Sequence, residues 1–353
     1  MVERSIILKI IEAGNLAPSG GNSQPWKFIV KDNIIKVIAL PEKDHPILNF
    51  KNRGTWIAHG ALLENMEITA KNFGVDLDYK IFPENNTSFI IELVESKGII
   101  QENLYEFISK RHSNRKPFEK GLLNEGDKEY LFEEISKYKN LGCDVFYVEN
   151  EESINKIAEN LAKDILINFG NEEMHRLLFK EILFKEKEQL NRGGLYIKTM
   201  EVPPVGILLF RLLKNKKILN FFKKKGIINQ FYNNGVKTAS SCALMCGIFV
   251  KNTDESFIYA GKLLENIWLR ATKLNLGFHL ITGIPFLWQR INFSKDNIFS
   301  TEEKTLINDA YLNIVREFGV DDNDKILAFV FRIGKSQPPS AVSIKRPPQV
   351  EFI

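Results

Sequence analysis

Two stretches of this chain share one frame. "HGALLENMEITAKNFG", starting at His59, and "AGKLLENIWLRATKLNLG", starting at Ala260, both read G-x-L-L-E-N and run an apolar face into a glycine stop. Two amphipathic helices can share such a frame by chance. A repeat at about 200 residues would instead mean two related core units in one chain. The length favours the second reading, because 353 residues are more than one hydrophobic core usually fills.

The local patterns supply the elements around these two helices. Ile6, Ile7, Ile10, Ile11 and Ala13 recur at helical spacing, and Pro18 ends that helix near Leu16. "WKFIV" and "NIIKVIAL" read as strands joined by the turn Lys31-Asp32-Asn33. "LDYKIFP", "SFIIELV", "CDVFYV", "SSCALMCGIFV" and "ILAFVFRIG" read as further strands. "LYEFISKRH", "LFEEISKY" and the charged stretch 151–190 read as helices.

Composition excludes several classes. Hydrophobic residues at 44% and charged residues at 26% fit a soluble globular protein. The net charge of +4 is too small to indicate nucleic acid, yet leaves room for a local anion site. The three cysteines, Cys143, Cys242 and Cys246, are odd in number and without paired spacing, which predicts a reducing, cytoplasmic setting. Cys242 and Cys246 lie in an apolar run and read as buried thiols, not as a redox pair. Charges at Glu3, Arg4, Lys9 and Glu12 argue against a signal peptide, and no stretch reaches the roughly 18 apolar residues of a membrane span. No G-x-G-x-x-G follows a strand, and neither a P-loop nor a G-x-S-x-G elbow occurs. The five histidines form no metal-ligand spacing.

Two motifs carry chemistry. "APSGGNSQPWKF", Ala17 to Phe28, is dense in turn residues and ends in a tryptophan unusual for a surface loop. "RHSNRKPF", Arg111 to Phe118, gathers cations, a hydroxyl and an amide. Arginine suits phosphate because its planar fork donates two parallel hydrogen bonds. Alone, this second motif reads equally as a solvated basic helix end.

Together, the motifs resemble the FMN-dependent nitroreductase family. The first matches that family's A-P-S-x-x-N-x-Q-P-W loop, and the second its R-[RH]-S-x-[RK]-x-F flavin-binding motif. In the ordinary family the R-H-S motif precedes the loop; here the loop comes first. The reversed order is similar to the Acg-like branch, in which two nitroreductase-like halves are fused. The resemblance implies an α+β nitroreductase fold, antiparallel sheets flanked by helices, with a half at 1–100 carrying the loop and a half at 101–353 carrying the phosphate motif. It implies a monomer with an internal pseudo-dimer, or a homodimer of it.

Site roles follow from the same resemblance. Arg111 would bind the FMN phosphate. His112 and Ser113 would contact the ribityl chain and flavin edge, with Arg115 near N1 and O2. Pro18, Ser19, Gly20 and Asn22 would border the isoalloxazine, where small residues let backbone approach a flat ring. Gln24 and Trp26 read as anchors of the loop into the core. Asn234 and Lys237 would face the pyrimidine, where a cation favours reduced flavin; otherwise Lys237 is a surface lysine in a turn. Thr282 and Gly283, in "LGFHLITGIPF", would reach N5 and O4, whereas His279 reads as structural. Lys345 and Arg346, in "IKRPP", would close on the phosphate. The implied activity is hydride transfer from NADH or NADPH through FMN to a small, flat, electron-poor substrate, with no protein acid or base in a catalytic role. The alternative is a flavin-storage protein without turnover.

One segment departs from the simple family. Seven Lys or Arg residues are interleaved with Leu, Ile and Phe between Arg211 and Lys225. Residues 165–230 read as a helical lid or packing extension, or else as a helix lying on an anionic membrane surface.

Overall fold

The structure is a computed structural model that describes residues 2–84, 86–96, 104–321 and 324–353. The expected boundary between residues 100 and 101 lies outside the described residues. The first strands are β1 (Trp26–Lys31), β2 (Ile34–Ala39), β3 (Val75–Glu84) and β4 (Thr87–Glu95). They follow α1 (Arg4–Asn15) and enclose α2 (Arg53–Asn72) in the chain. Next come the short helices α3 (Tyr105–Ile108), α4 (Glu125–Phe132) and α5 (Ile135–Lys139), then β5 (Cys143–Val148).

A largely helical segment follows: α6 (Glu151–Leu161), α7 (Lys163–Gly170), α8 (Glu172–Glu181), the two-residue strands β6 (Ile182–Leu183) and β7 (Leu195–Tyr196), α9 (Pro204–Leu213), α10 (Lys216–Lys224) and α11 (Ile227–Ser240). The remainder is β8 (Leu244–Lys251), α12 (Asp254–Lys273), β9 (Gly277–Ile281), α13 (Gly283–Phe293), α14 (Thr301–Glu317), β10 (Lys325–Gly334) and β11 (Val350–Phe352).

The fold is α+β. A five-stranded sheet has the order β11-β1-β2-β4-β3, and a four-stranded sheet the order β5-β8-β10-β9. Both are antiparallel except at the β1–β11 edge, where Phe28 pairs with Val350 in parallel. The tail therefore returns more than three hundred residues along the chain to finish the first sheet. Helix α2 lies on the first sheet and α12 on the second, and these two helices lie on each other. One continuous core runs through both, from Trp26 and Phe28 through Leu62 and Leu264 to Phe331.

The repeated frame explains the helix pair. A Cβ on Gly60 would stand 1.9 Å from the Ile258 carbonyl oxygen, and a Cβ on Gly261 would stand 2.0 Å from the Ile57 carbonyl oxygen. The contact is reciprocal: each glycine admits the other helix's backbone one turn before the other glycine. Such exchange of roles is the signature of a two-fold interface. The acids behind the glycines follow it too. Asn266 donates to Glu64 at 3.0 Å, and Asn65 lies against Glu265. Burial raises the pKa of both carboxyls, to about 7 for Glu265.

Two sequence expectations need correction. The helix at "LYEFISKRH" is a single turn ending at Ile108, so the R-H-S motif lies in irregular backbone rather than at a helix end. "NNGVKTAS" lies inside the fourteen-residue helix α11, not in a turn. The three thiols are free and buried, as their apolar context requires, and burial pushes Cys143 and Cys242 up to about 12. Among the described residues, no helix is long and apolar enough to cross a membrane.

The glycine contact is testable. Gly60→Ala and Gly261→Ala each gain about 1 kcal/mol of helix propensity, yet each must force two backbones apart. We expect both to lower stability in urea denaturation, by roughly 1–3 kcal/mol or more as overpacking does. A stabilised Gly261→Ala would show that the helices do not meet at this distance.

Candidate functional site: a cationic cavity

The loop after α1 turns sharply. Gly21, Asn22 and Gln24 all take positive φ, and Ser19 Oγ accepts the Gln24 amide at 3.0 Å. One buried residue, Asn15 at the end of α1, fixes the turn. Its Oδ1 accepts from Trp26 Nε1 and from Gln24 Nε2, both at 2.9 Å, and its Nδ2 donates to the Arg346 carbonyl at 2.8 Å. Trp26 is 2% exposed and meets the His59 ring edge-on at 5.7 Å. Trp26 and Gln24 are therefore anchors, as their residue types suggested.

The tail is strapped across this loop. Gln24 Nε2 donates to the Arg346 carbonyl at 3.0 Å, and Gln24 Oε1 accepts the Arg346 amide at 2.9 Å, so one side-chain amide reads both groups of one residue. Asn22 Nδ2 donates to the Ile344 carbonyl at 2.9 Å, while the Arg346 guanidinium donates to the Asn22 and Ser23 carbonyls.

The R-H-S segment forms a third wall. Asn114 holds it: its amide donates to Phe278 O at 2.9 Å, and its Nδ2 donates to Ser336 Oγ and Gln337 O, both at 2.8 Å. The buried Arg332 supports the far end, donating to Lys116 O at 2.8 Å and lying 4.0 Å over the Phe118 ring. His279 is structural: its Nδ1 receives Arg332 Nε at 3.2 Å.

These segments enclose a cavity of about 180 Å³. Pro18, Ser19, Asn22, Arg111, His112, Ser113, Arg115 and Lys345 all line it. Leu195 and Thr199, from the helical segment, complete the wall, with Ser343 from the tail. Among the described residues, no carboxylate lines it. Glu265 lies behind Arg111, its oxygen 2.8 Å from Arg111 Nε. Arg111 also donates to Leu16 O at 2.8 Å and lies over Trp268 at 4.6 Å.

The electrostatics favour an anion. Lys345 donates to Ala17 O at 2.6 Å, and burial, with Arg111 beside it, brings its ammonium down to about 7. Burial and Arg111 likewise lower His112, and burial lowers Arg115, whose Nη1 donates to Thr199 O at 3.1 Å. Two buried polar atoms, Asn22 Oδ1 and Arg346 Nη1, have no hydrogen-bond partner among the described residues.

The other expected residues lie elsewhere. Gly20 faces away from the lining, its Cβ position 2.7 Å from Asp44 Oδ1. Arg346 stands beside the cavity as the clamp already described. Asn234 and Lys237 are exposed on α11. Thr282 precedes α13, and Gly283 packs on Asp164, whose carboxyl would lie 2.4 Å from a Cβ there. Sequence reading missed Asn15, Asn114 and Glu265. Glu265 was signalled by the shared G-x-L-L-E-N frame; the two asparagines carry no local signal beyond polarity in apolar surroundings.

Fold and cavity together define an α+β chain with a cationic, hydroxyl-bearing cavity built from four distant segments. No protein-family model matches the chain. A curated relative, an uncharacterized protein of Mycobacterium tuberculosis (strain CDC 1551 / Oshkosh), is 20% identical over 342 residues, covering 96% of this chain and 47% of that protein. The chain thus spans about half the length of the curated relative it matches. Among solved structures, it is similar to a nitroreductase with bound FMN from Bacteroides fragilis, at 10% identity and a TM-score of 0.39 over 69% of this chain and 94% of that one. It is also similar to a nitroreductase with bound FMN from Desulfitobacterium hafniense, at 12% identity and a TM-score of 0.37 over 70% and 96%. An FMN and NADPH-dependent nitroreductase from sphigopyxis sp. strain HMH gives 16% identity and a TM-score of 0.38 over 68% and 95%.

Lys345 makes anion binding depend on pH. An anion favours the charged ammonium, so binding takes up a proton above pH 7 or so. Sulfate, whose own charge is constant there, should bind more weakly as pH rises from 6 to 8.5, by up to about tenfold per unit. Calorimetry should show this slope for the native chain and a flat profile for Lys345→Met. An equally flat native profile would remove Lys345 from the site.

Proposed function

We propose that the chain is an FMN-binding oxidoreductase. One observation carries the reading. The two motifs that resemble flavin-binding elements, far apart in sequence, line a single cavity, and "IKRPP" closes it. Arg111 and Lys345 would hold the phosphate. His112, Ser113 and Ser19 offer hydroxyl and imidazole partners to the ribityl chain, and Asn22 Oδ1 remains free to accept a hydrogen bond. Arg115 would supply a further cation beside the flavin. FMN, when bound, supplies hydride transfer between NADH or NADPH and a small, flat, electron-poor acceptor such as a nitroaromatic or quinone. The protein contributes placement, charge and exclusion of water. The reciprocal glycine contact supports a single-chain pseudo-dimer in which each related half gives one side of the site.

A second reading rests on the cavity's size. Pockets that bury a whole ligand usually enclose roughly 300–1,000 Å³, whereas this one holds about 180 Å³. The donors fit the phosphate and ribityl end; the ring system needs more room. A wall that closes at Leu195 and Thr199 suits flavin storage without turnover.

One experiment separates the readings. The purified chain is reconstituted with FMN and mixed anaerobically with NADH, then NADPH. Bleaching of the flavin band by either donor is the expected result. Bleaching only by dithionite would support storage, and failure to take up FMN would sink both. Arg111→Ala should weaken FMN binding by about tenfold or more, the loss of one charge-assisted contact of roughly 1.5–3 kcal/mol.

A further inference from the structure

The basic-apolar segment has two faces, and only one is used inside the protein. Phe210 and Leu213 of α9 and Leu219 of α10 are buried with Phe169, Phe179 and Ile228 in a small core of their own. The opposite side of α9 remains apolar. Val205 is 83% exposed, Leu208 60% and Leu212 43%, at the spacing of one helical face. Phe221 on α10 is 58% exposed, flanked a turn away by the exposed Lys217 and Lys224. A soluble surface rarely gathers four large apolar side chains on adjoining helices without a partner for them.

The charges within these helices are of one sign. Arg211, Lys214, Lys216, Lys217, Lys223, Lys224 and Lys225 belong to this segment, and no Asp or Glu occurs between Glu201 and Asp254. Among the described residues, Lys216 pairs with Glu172, while Lys214, Lys217, Lys224 and Lys225 make no ion pair. An apolar face rimmed by unpaired cations is what a helix needs to sit in an anionic headgroup layer, with leucines at the acyl boundary and ammoniums among phosphates. Neither helix is long enough to span, at ten and nine residues.

We propose that the α9–α10 hairpin docks this protein on an anionic lipid bilayer, Val205, Leu208, Leu212 and Phe221 entering the interface and the lysines binding lipid phosphates. The site lies on the outer side of the segment whose strand β7 and following turn wall the cavity through Leu195 and Thr199. It does not depend on what the cavity binds.

Co-sedimentation with phosphatidylglycerol vesicles, against phosphatidylcholine vesicles, tests it. The chain should pellet with the anionic vesicles at low salt and release as salt shortens the Debye length from about 30 Å to a few ångströms. Lys217→Gln and Lys224→Gln should each weaken binding about fivefold. The double variant Val205→Asp, Leu208→Asp should abolish pelleting while keeping the native helical circular dichroism, since neither side chain is in the core. No pelleting with phosphatidylglycerol at low salt would overturn the proposal. So would undiminished pelleting of the double variant, which would reduce the interaction to surface charge. A dimer in sedimentation velocity that the double variant dissolves, without vesicle binding, would assign the face to a second copy of the chain instead.

Discussion

The approach of two helix backbones at Gly60 and Gly261 is the constraint on which the rest of the structure depends. Ordinary helix pairs keep their axes 8–10 Å apart because side chains intervene. Here each glycine receives the other helix's carbonyl, so α2 and α12 lie within one core rather than between two. The closeness has an electrostatic consequence. It brings Glu64, Glu265, Asn65 and Asn266 into the interior, where carboxylates survive only with partners. Lys262 and Asn266 serve Glu64; Arg111 serves Glu265. Arg111 is therefore oriented from behind by the helix pair while it faces the cavity in front. Site and interface share a residue, and neither can be altered independently.

The cavity is held by amides more than by charges. The side chains of Asn15, Gln24 and Asn114 make at least two hydrogen bonds each, that of Asn22 makes one, to the Ile344 carbonyl, and all four residues are within a few per cent of full burial. Such neutral groups fix position without neutralising the cations they hold. That leaves Arg111, Arg115 and Lys345 with positive potential directed into a wall that, among the described residues, holds no acid.

Much of this was legible in the sequence, and for physical reasons. Alternating apolar residues marked β1 and β2, continuous apolar runs marked β8 and β10, and the shared frame at Gly60 and Gly261 marked two related helices, though not their contact. The loop and the R-H-S segment stood out because turn residues and cations are locally dense; their roles, and "IKRPP", came only from the resemblance. Other features were not legible. The single-turn α3 looked longer because periodicity does not register where tertiary contacts stop a helix. Asn234 and Lys237 looked like partners because spacing was visible and helix direction was not. Asn15 and Asn114 gave no sign, since their partners lie on other segments and a lone asparagine reads as a turn. The exposed side of α9 was hidden by the same apolar composition that fills its buried side.

The strap made by Ile344, Lys345 and Arg346 sets an order of events during synthesis. Asn22 must wait for Ile344, its partner 322 residues further on, and Gln24 waits as long for Arg346. Until that stretch leaves the ribosome, the loop after α1 lacks the carbonyls that fix it and the cavity lacks one wall. Long-range closures of this kind form late, because their loop entropy is met only after the intervening structure exists. The nascent chain thus emerges with both sheets available to pair and its binding site unmade. Any ligand the finished cavity holds must arrive at or after that closure, and in doing so would stabilise a junction between distant parts of the chain.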